Sequence, residues 1–542
     1  MGPPPSVSPR PADRAPTIPV VTSKTPGERV SALVADRRRA ESIGIAAILL
    51  VAGTATFVVA ARTGQLTWDE VVYASRAQSL VSDIPSIYWG SYRPPGLPLL
   101  GTLAALGGFS EMSLRAITWA LGFMALAITW AVARQMWGRW AALFTLLAAI
   151  GSPVVLGLLR HFHNDLGSSG LLILLMGVLW DQFERRPAPT RLLLAAAPLA
   201  AAAFYLRYGA VLWLTAIGVV AIVLWAPSLR RQARLVAVTA ALLALLLMPH
   251  ILAAVRLTGS PTGMLTRAAA AATTGNPLPA LVQFAWRLPV AIAGPIATVV
   301  LVMGGVHAIV AGREALRRRG WTADVRRHTW LLLTAILAVL GTAAVGNPNP
   351  RYLVFPLLLG LISGGGALAW AARAMGRSGP PWVRRHLAAP GALAVVAVVL
   401  AAWTGFYLTR SVVSAVRREP PTARSIAGAA IRADAGGTCY LASTDPPTFG
   451  WYSGCAVDPL DRARPLLTGK STDPGTVYVV LMPSDDNRAD PELVDQFRDL
   501  IQAGGWTRLE SGSSDIEIYR RDGPAQVPAG EREVDRDLPV VA

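Results

Sequence analysis

The chain has 542 residues, of which 53% are hydrophobic and only 15% are charged, and its formal net charge is +17. A soluble protein would carry charges on roughly a quarter of its residues. Several apolar runs are long enough to cross about 30 Å of hydrocarbon, so the composition excludes an ordinary soluble domain and indicates a polytopic membrane protein.

The positive charge is unevenly distributed. Residues 1–410 hold 36 basic and 13 acidic side chains, whereas residues 411–542 hold 14 basic and 20 acidic ones. A basic chain could instead bind nucleic acid, but these arginines fall in short clusters between apolar runs, as in the cytoplasmic loops of membrane proteins. We therefore expect no nucleic-acid partner.

Residues 1–40 are rich in proline and polar side chains, which predicts a disordered cytoplasmic tail. Residues 41–410 are predicted to form a transmembrane domain. We expect about eleven spans in it, at 43–61, 112–133, 140–159, 166–182, 191–205, 208–226, 234–255, 288–311, 329–346, 351–374 and 388–409.

The stretch 191–226 decides this count. As one helix it would be roughly 54 Å long, far more than a bilayer. Two short helices with a tight outer turn at Arg207 fit better, and they keep the arginine clusters on the cytoplasmic side. The prediction is a multi-pass protein of the cell membrane with its N-terminus inside, and 62–111 is then an outer loop.

Residues 411–522 have the composition of a soluble domain, and we expect a small extracytoplasmic α/β domain there. CYLAST, VYVVLMP and DIEIYR are typical of strands, and PELVDQFRDLIQAGG of an amphipathic helix that ends at a glycine. Cys439 and Cys455 both lie in this part. They could form a disulfide in an oxidising compartment or remain two buried thiols. Residues 523–542 are expected to be a disordered tail.

Few acidic side chains lie on the predicted outer face of the membrane part. After the first span they are Asp69, Glu70, Asp83, Glu111 and Asp165. Ionisable groups at membrane depth are costly and often functional. Asp69 and Glu70 begin a predicted helix, so they could supply a base or could cap the helix and meet its dipole.

Three arginines occupy outer connections: Arg93 before a Pro-Pro-Gly turn, Arg207, and Arg351. Planar guanidinium groups bind phosphate through paired donors, so the three side chains are predicted to converge on one anionic group. The alternative for each is an arginine that reaches to the membrane surface from the end of a span.

His161, His163 and Asp165 form an H-x-H-x-D pattern at the next outer connection. This pattern could supply metal ligands, or it could add a second acidic group with hydrogen-bonding neighbours to the site. His250 lies inside an apolar span and is more typical of a core histidine. The sequence has no Walker-type phosphate loop and no dinucleotide-binding glycine pattern.

Taken in order, these motifs resemble the C-type glycosyltransferases, and within them the protein O-mannosyltransferase and aminoarabinose-transferase group. The resemblance covers residues 43–410. The motifs are W-D-E at 68–70, R-P-P-G-L-P at 93–98, the acidic residue 165 after the third span, L-R-Y at 206–208 and N-P-R-Y-L-x-x-P at 349–356.

Members of that family transfer a sugar from a polyprenyl-phosphate carrier at the outer face of the membrane. The resemblance implies that Asp69 is the catalytic base, that Glu70 positions the base or the acceptor, and that Asp165 is a second acidic site residue. The substrate-binding residues expected beside them are Arg93, His163, Arg207, Arg351 and Tyr352.

The resemblance also implies the partners. They are a polyprenyl-phosphate sugar donor, whose apolar tail would lie among helices and membrane lipid, and a protein, lipid or cell-wall glycan acceptor. Inversion at the anomeric carbon needs a base for the acceptor proton and cations for the departing phosphate. A divalent metal is compatible with this chemistry and is not required by it.

Two other classes compete with this interpretation. A transporter or lipid flippase would be expected to show internal repeats and ionisable residues near the bilayer midplane. If the protein were a non-catalytic membrane scaffold with an outer binding domain, Asp69, Glu70 and Arg93 would have no common function.

Overall fold

The structure is a computed structural model, and it describes most of the chain. The described residues are 26–84, 86–87, 89–90, 92–185, 191–272, 277–287, 291–318, 320–345, 349–378, 389–417, 423–437, 439–463, 476–482, 491–513 and 515–521. The chain divides after Val51 into two units, and the described residues of the first unit, 26–51, form the start of the helix Pro26–Ala61. All further contacts described here lie within the second unit.

Within these described ranges, nine helices are long and apolar enough to cross a membrane. They are Ile43–Ala61, Glu111–Trp137, Asp165–Arg185, Ala210–Arg231, Ala233–Thr258, Gly294–Arg317, Ala323–Ala344, Pro350–Met375 and Gly391–Arg417. The multi-pass, mainly helical architecture predicted from the sequence is confirmed.

The predicted span 140–159 is broken into two helices, Arg139–Ile150 and Pro153–Leu159, which meet at 71° and would make a tenth span together. Pro153 explains the break, because proline lacks an amide hydrogen and its ring clashes with the preceding helical turn. At the break, the hydroxyl of Ser152 donates to the carbonyl of Ile292 at 2.9 Å.

The predicted span 191–205 is the shorter helix Arg191–Leu206, which begins with a 3-10 segment, Arg191–Ala195. It runs antiparallel to the helix Asp165–Arg185. The side-chain amide of Asn164 donates to the carbonyl of Leu206, and the Ser168 hydroxyl donates to Ala203 at 3.1 Å.

The chain then reverses at Arg207. Trp225, in the next helix, donates from its indole to Glu184 at 3.3 Å, close to the other end of the helix Asp165–Arg185. The two helices joined by a tight turn at Arg207 are therefore present as predicted.

The two ends of the bundle carry different polar groups. One end, called the site end below, contains Asp69, Asp165 and the turn at Arg207. At the far end, Arg326 pairs with Glu184 at 2.6 Å, and Gln182 bonds to Gln232 at 3.0 Å.

Short helices fill the connections at the site end. They are Trp68–Ser79, Gly96–Gly101 with the 3-10 segment Thr102–Gly107, Gly263–Ala272 and Pro277–Arg287. The span Pro350–Met375 lies at the centre of the bundle, with 89% of its most apolar window buried. A Cβ at Gly364 would lie 2.0 Å from the carbonyl oxygen of Val300, so only glycine permits this close helix packing.

Residues 423–521 contain a five-stranded sheet in the order β2-β1-β3-β5-β4. The strands are β1 Cys439–Ser443, β2 Ala456–Pro459, β3 Thr476–Leu481, β4 Thr507–Leu509 and β5 Glu517–Arg521, and the helices are Ala423–Ala435, Pro446–Ser453 and Pro491–Gln502. The first three strands in the order are parallel, and β5 and β4 are antiparallel to their neighbours. Cys439 and Cys455 form a disulfide, which decides between the two alternatives left open by the sequence.

Two predicted boundaries differ from the structure. Residues 26–40, expected to be disordered, belong to the helix Pro26–Ala61; proline is tolerated in a first helical turn, and alanine, leucine and arginine follow it. The last long helix, Ala389–Arg417, runs past the predicted end at Arg410. The predicted tails at residues 1–25 and 523–542 lie outside the described residues.

Candidate active site

Two parts of the chain that are distant in sequence both contact Asp69. Its two carboxylate oxygens accept from Arg93 at 3.2 Å and from Arg351 at 2.8 Å. The carboxylate side chain is 27% exposed, so it is reachable as well as paired. The predicted approach of Arg93 and Arg351, which are far apart in sequence, is therefore present in the structure.

The position of Arg93 depends on the turn that follows it. Pro95 precedes the helix Gly96–Gly101, and a Cβ at Gly96 would lie 2.5 Å from the carbonyl oxygen of Tyr205. Glycine therefore lets this turn lie directly against the end of the helix Arg191–Leu206. The guanidinium of Arg93 lies 5.6 Å from the ring centre of Tyr73, within cation–π range.

Asp165 and Arg207 form a second ion pair beside the first. The Asp165 side chain is 1% exposed and contacts the Arg207 guanidinium. The Arg207 guanidinium lies 4.4 Å from the ring centre of Tyr352, and that of Arg351 lies 5.3 Å from the same ring. Arg351 therefore joins the other two arginines, since it shares the Asp69 carboxylate with Arg93 and the Tyr352 ring with Arg207.

Glu70 has a different environment, because its carboxylate is completely buried. It accepts from the backbone and hydroxyl of Thr67, both at 2.9 Å, in the manner of a capping box. It also accepts from the Phe162 amide at 2.7 Å and Arg115 Nε at 3.2 Å, and it contacts His161 at 3.3 Å. These contacts tie the Glu70 carboxylate to the start of the helix that carries Asp69 and to the residues packed around it.

The charges around Asp69 set its protonation. Burial acts to raise the pKa of Asp69, but the positive charges of Arg351 and Arg93 outweigh it and hold the pKa well below its ordinary value. Burial and the charge of Arg351 lower the pKa of His163 to about 3. Asp69 is therefore an anion and His163 a neutral imidazole at physiological pH.

The histidine pattern does not assemble a metal centre. His161 contacts Glu70, Asp165 contacts Arg207, and the rings of His161 and His163 are 5.7 Å apart at their centres. In the described part of the chain, no group of three or more His, Cys, Asp or Glu side chains is arranged to hold a metal ion.

The site does have donors suited to an anion. Within the described residues, the Nε–H groups of Arg93, Arg207 and Arg351 are buried and have no hydrogen-bond partner. A buried guanidinium donor without a partner is costly, and phosphate oxygens are the acceptors that match this planar group. Three arginines face two aspartates here, so a phosphate group would also balance the local charge.

Sequence reasoning did not find Arg115 or Tyr452 as parts of this region, and it named Glu111 only as one of five acidic residues on the predicted outer face. Arg115 is 2% exposed and binds Glu70 as well as the carbonyls of Gly64 and Gln65, at 2.7 and 3.0 Å. Its position in the first turn of a span resembles that of an ordinary interfacial arginine. The only local signal was an arginine four residues after Glu111, a spacing that allows an ion pair.

Residues 93–252 match the family model described as dolichyl-phosphate-mannose-protein mannosyltransferase. No curated protein matches the sequence. The structure of ArnT from Cupriavidus metallidurans bound to undecaprenyl phosphate is similar, at 16% identity and a TM-score of 0.62, over 90% of this chain and 99% of that one. The Archaeoglobus fulgidus oligosaccharyltransferase AglB, in complex with an inhibitory peptide and a dolichol-phosphate, is similar at 12% identity and a TM-score of 0.53, over 89% and 75%.

The chain therefore has the fold of the C-type membrane glycosyltransferases, and the resemblance drawn from its motifs is confirmed. The match to the mannosyltransferase family model begins at Arg93 and includes Asp165 and Arg207. Asp69 and Arg351, which lie outside the matched range, complete the same cluster in space.

Proposed function

We propose that the protein is a membrane glycosyltransferase that moves a sugar from a polyprenyl-phosphate carrier to a hydroxyl or amine acceptor at the outer face of the membrane. The observation that carries this proposal is the Asp69 carboxylate held between Arg93 and Arg351 at one end of a membrane bundle. A base and two cations at a membrane surface are the groups that transfer from a lipid-linked phosphate needs.

The reaction is a single displacement with inversion. The acceptor's O–H or N–H gives its proton to Asp69 as its oxygen or nitrogen bonds to the anomeric carbon. The bond between that carbon and the phosphate oxygen breaks, and the electron pair stays on the carrier phosphate. The guanidinium groups of Arg93, Arg207 and Arg351 stabilise the charge that develops there.

Donor binding would also activate the base. With both oxygens paired to arginine, Asp69 is a weak proton acceptor because its pKa is so low. A carrier phosphate competes for the same two guanidinium groups. As they turn toward the phosphate, the carboxylate loses the charges that lowered its pKa and becomes a stronger base. Proton removal is thereby coupled to the presence of the donor.

The acidic and basic groups of the cluster lie at one end of the helices, which favours transfer at a membrane surface over transport through the bilayer. Asp165 and Arg207 hold each other beside the proposed phosphate position, and the Tyr352 ring lies against Arg207 and Arg351. His163, as a neutral imidazole, can accept or donate a hydrogen bond to the sugar without adding charge.

The proposal predicts that cells lacking the protein lose one glycoform. Mass spectrometry of the lipid, protein and cell-wall glycan fractions should show this loss together with accumulation of the carrier-linked sugar. Wild-type protein should restore the glycoform, and an Asp69→Asn variant present at the same level should not. Identical profiles with and without the protein in all three fractions would contradict the proposed function.

The orientation of the site end can be tested separately. A reporter that is active only outside the cytoplasm should be active when fused after Arg417, at the end of the last long helix. The same reporter fused after Arg231, at the far end of the helix Ala210–Arg231, should be silent. The reverse pattern would place the site on the cytoplasmic face.

A further inference from the structure

The segment Gly64–Thr67 leads into the helix that carries Asp69, and several hydrogen bonds fix its position. Arg115 binds the carbonyls of Gly64 and Gln65, and Glu70 accepts from the Thr67 amide. Arg115 belongs to the membrane bundle, and Glu70 belongs to the helix itself.

The remaining contacts come from residues 423–521, called the α/β region below. The Tyr452 hydroxyl accepts from the amide of Leu66 at 2.8 Å and donates to the carboxylate of Glu111. The side-chain oxygen of Gln65 accepts from the backbone amides of Arg424 and Ser425, at 3.0 and 3.2 Å, in the first turn of the helix Ala423–Ala435. Residues more than 350 positions away in sequence thus fix this segment.

The part of the α/β region that reaches the segment is itself firmly attached. Trp451 packs against the buried cluster that includes Leu66 and Val71. Three residues after Tyr452, Cys455 is bonded to Cys439 on β1. The helix Pro446–Ser453 is therefore tied to the sheet on one side and to the bundle on the other.

From this arrangement we propose that the α/β region is part of the catalytic apparatus, and that Tyr452 is a positioning residue that sets Asp69 through Leu66 and Glu111. This inference rests on the proposed transferase activity. The Tyr452 hydroxyl joins the backbone just before the Asp69 helix to Glu111, which lies one helical turn before Arg115 on the span Glu111–Trp137. Without the Tyr452 hydroxyl, the Leu66 amide has no acceptor, and the backbone just before the Asp69 helix is held less firmly.

The test compares Tyr452→Phe with Tyr478→Phe in the full-length protein in lipid nanodiscs. Tyr478 is a matched control, because its hydroxyl donates to Asp434 at 2.7 Å within the α/β region and it is not among the residues that hold 64–67. In Tyr452→Phe we expect kcat to fall about 10-fold, since a small misplacement of a catalytic group has a large cost, with KM for the donor nearly unchanged. Tyr478→Phe should keep wild-type kcat.

Amide hydrogen exchange supplies a readout that does not need activity. Peptides covering 62–70 should exchange faster in Tyr452→Phe than in the wild type or Tyr478→Phe, because the Leu66 amide has lost its partner. Unchanged exchange and kcat in Tyr452→Phe, or equal losses in both tyrosine variants, would overturn the inference. A wild-type protein without transferase activity would instead refute the proposed function.

Discussion

Asp69→Asn is expected to lower the rate of sugar transfer about 10²–10⁴-fold, the usual contribution of a general base, while the protein stays folded. The amide is nearly isosteric with the carboxylate and is not basic. It also removes the anion that competes with the donor phosphate for Arg93 and Arg351. KM for the donor should therefore stay the same or fall while kcat collapses.

The measurement is transfer of labelled sugar from a polyprenyl-phosphate donor by the purified enzyme, with folding checked by thermal unfolding in detergent. Asp83→Asn is the control, because Asp83 is exposed near the same helix. Asp165→Asn removes the carboxylate that holds the Arg207 guanidinium in place, so a less well positioned Arg207 is expected to weaken donor binding. If Asp69→Asn kept near wild-type activity and Asp165→Asn were inactive, Asp165 would be the base.

The parts of the fold that the sequence could predict are those with a long local signal. Apolar runs and arginine clusters predicted the turn at Arg207 and eleven spans, of which nine are long apolar helices in the described residues, because both signals follow from the solvation of each segment by lipid or water. The break near Pro153 had a local cause as well. Pro153 also packs closely against Gly294, which adopts a positive φ of 77°, and the sequence does not reveal that contact.

Sequence reasoning found the members of the cluster whose chemistry is unusual and missed members whose chemistry is ordinary. Asp69, Arg93 and Arg351 were identifiable because an ionisable group close to an apolar span is costly and often functional. Arg115 and Tyr452 are common residue types in common positions, and their partners are 45 and 386 residues away. Such contacts follow from tertiary packing. The strands β2 and β4, with four and three residues, are too short for an alternating pattern to be recognised.

Arg93→Gln and Arg351→Gln should each weaken binding of the carrier phosphate about 10–100-fold, since hydrogen bonds to charged groups contribute roughly 1.5–3 kcal/mol. Lysine is not expected to rescue either position, because it cannot offer the planar pair of donors. Arg498→Gln, which removes an exposed ion pair with Asp495 in the α/β region, should bind like the wild type. Titration with unglycosylated polyprenyl phosphate in nanodiscs, followed by native mass spectrometry, measures this without knowledge of the acceptor.

The double variant distinguishes a shared phosphate from two separate roles. Arginines that hold one phosphate are coupled, so the loss in Arg93→Gln/Arg351→Gln should differ from the product of the single losses, whereas independent sites give simple multiplication. Either single variant also removes one of the two positive charges that lower the pKa of Asp69. That pKa must then rise, so the acid limb of the kcat/KM profile should move to higher pH in both single variants and stay in place in Arg498→Gln. If the losses in the double variant are strictly multiplicative and the acid limb does not move, Arg93 and Arg351 act independently. A common phosphate site at Asp69 would then have no support.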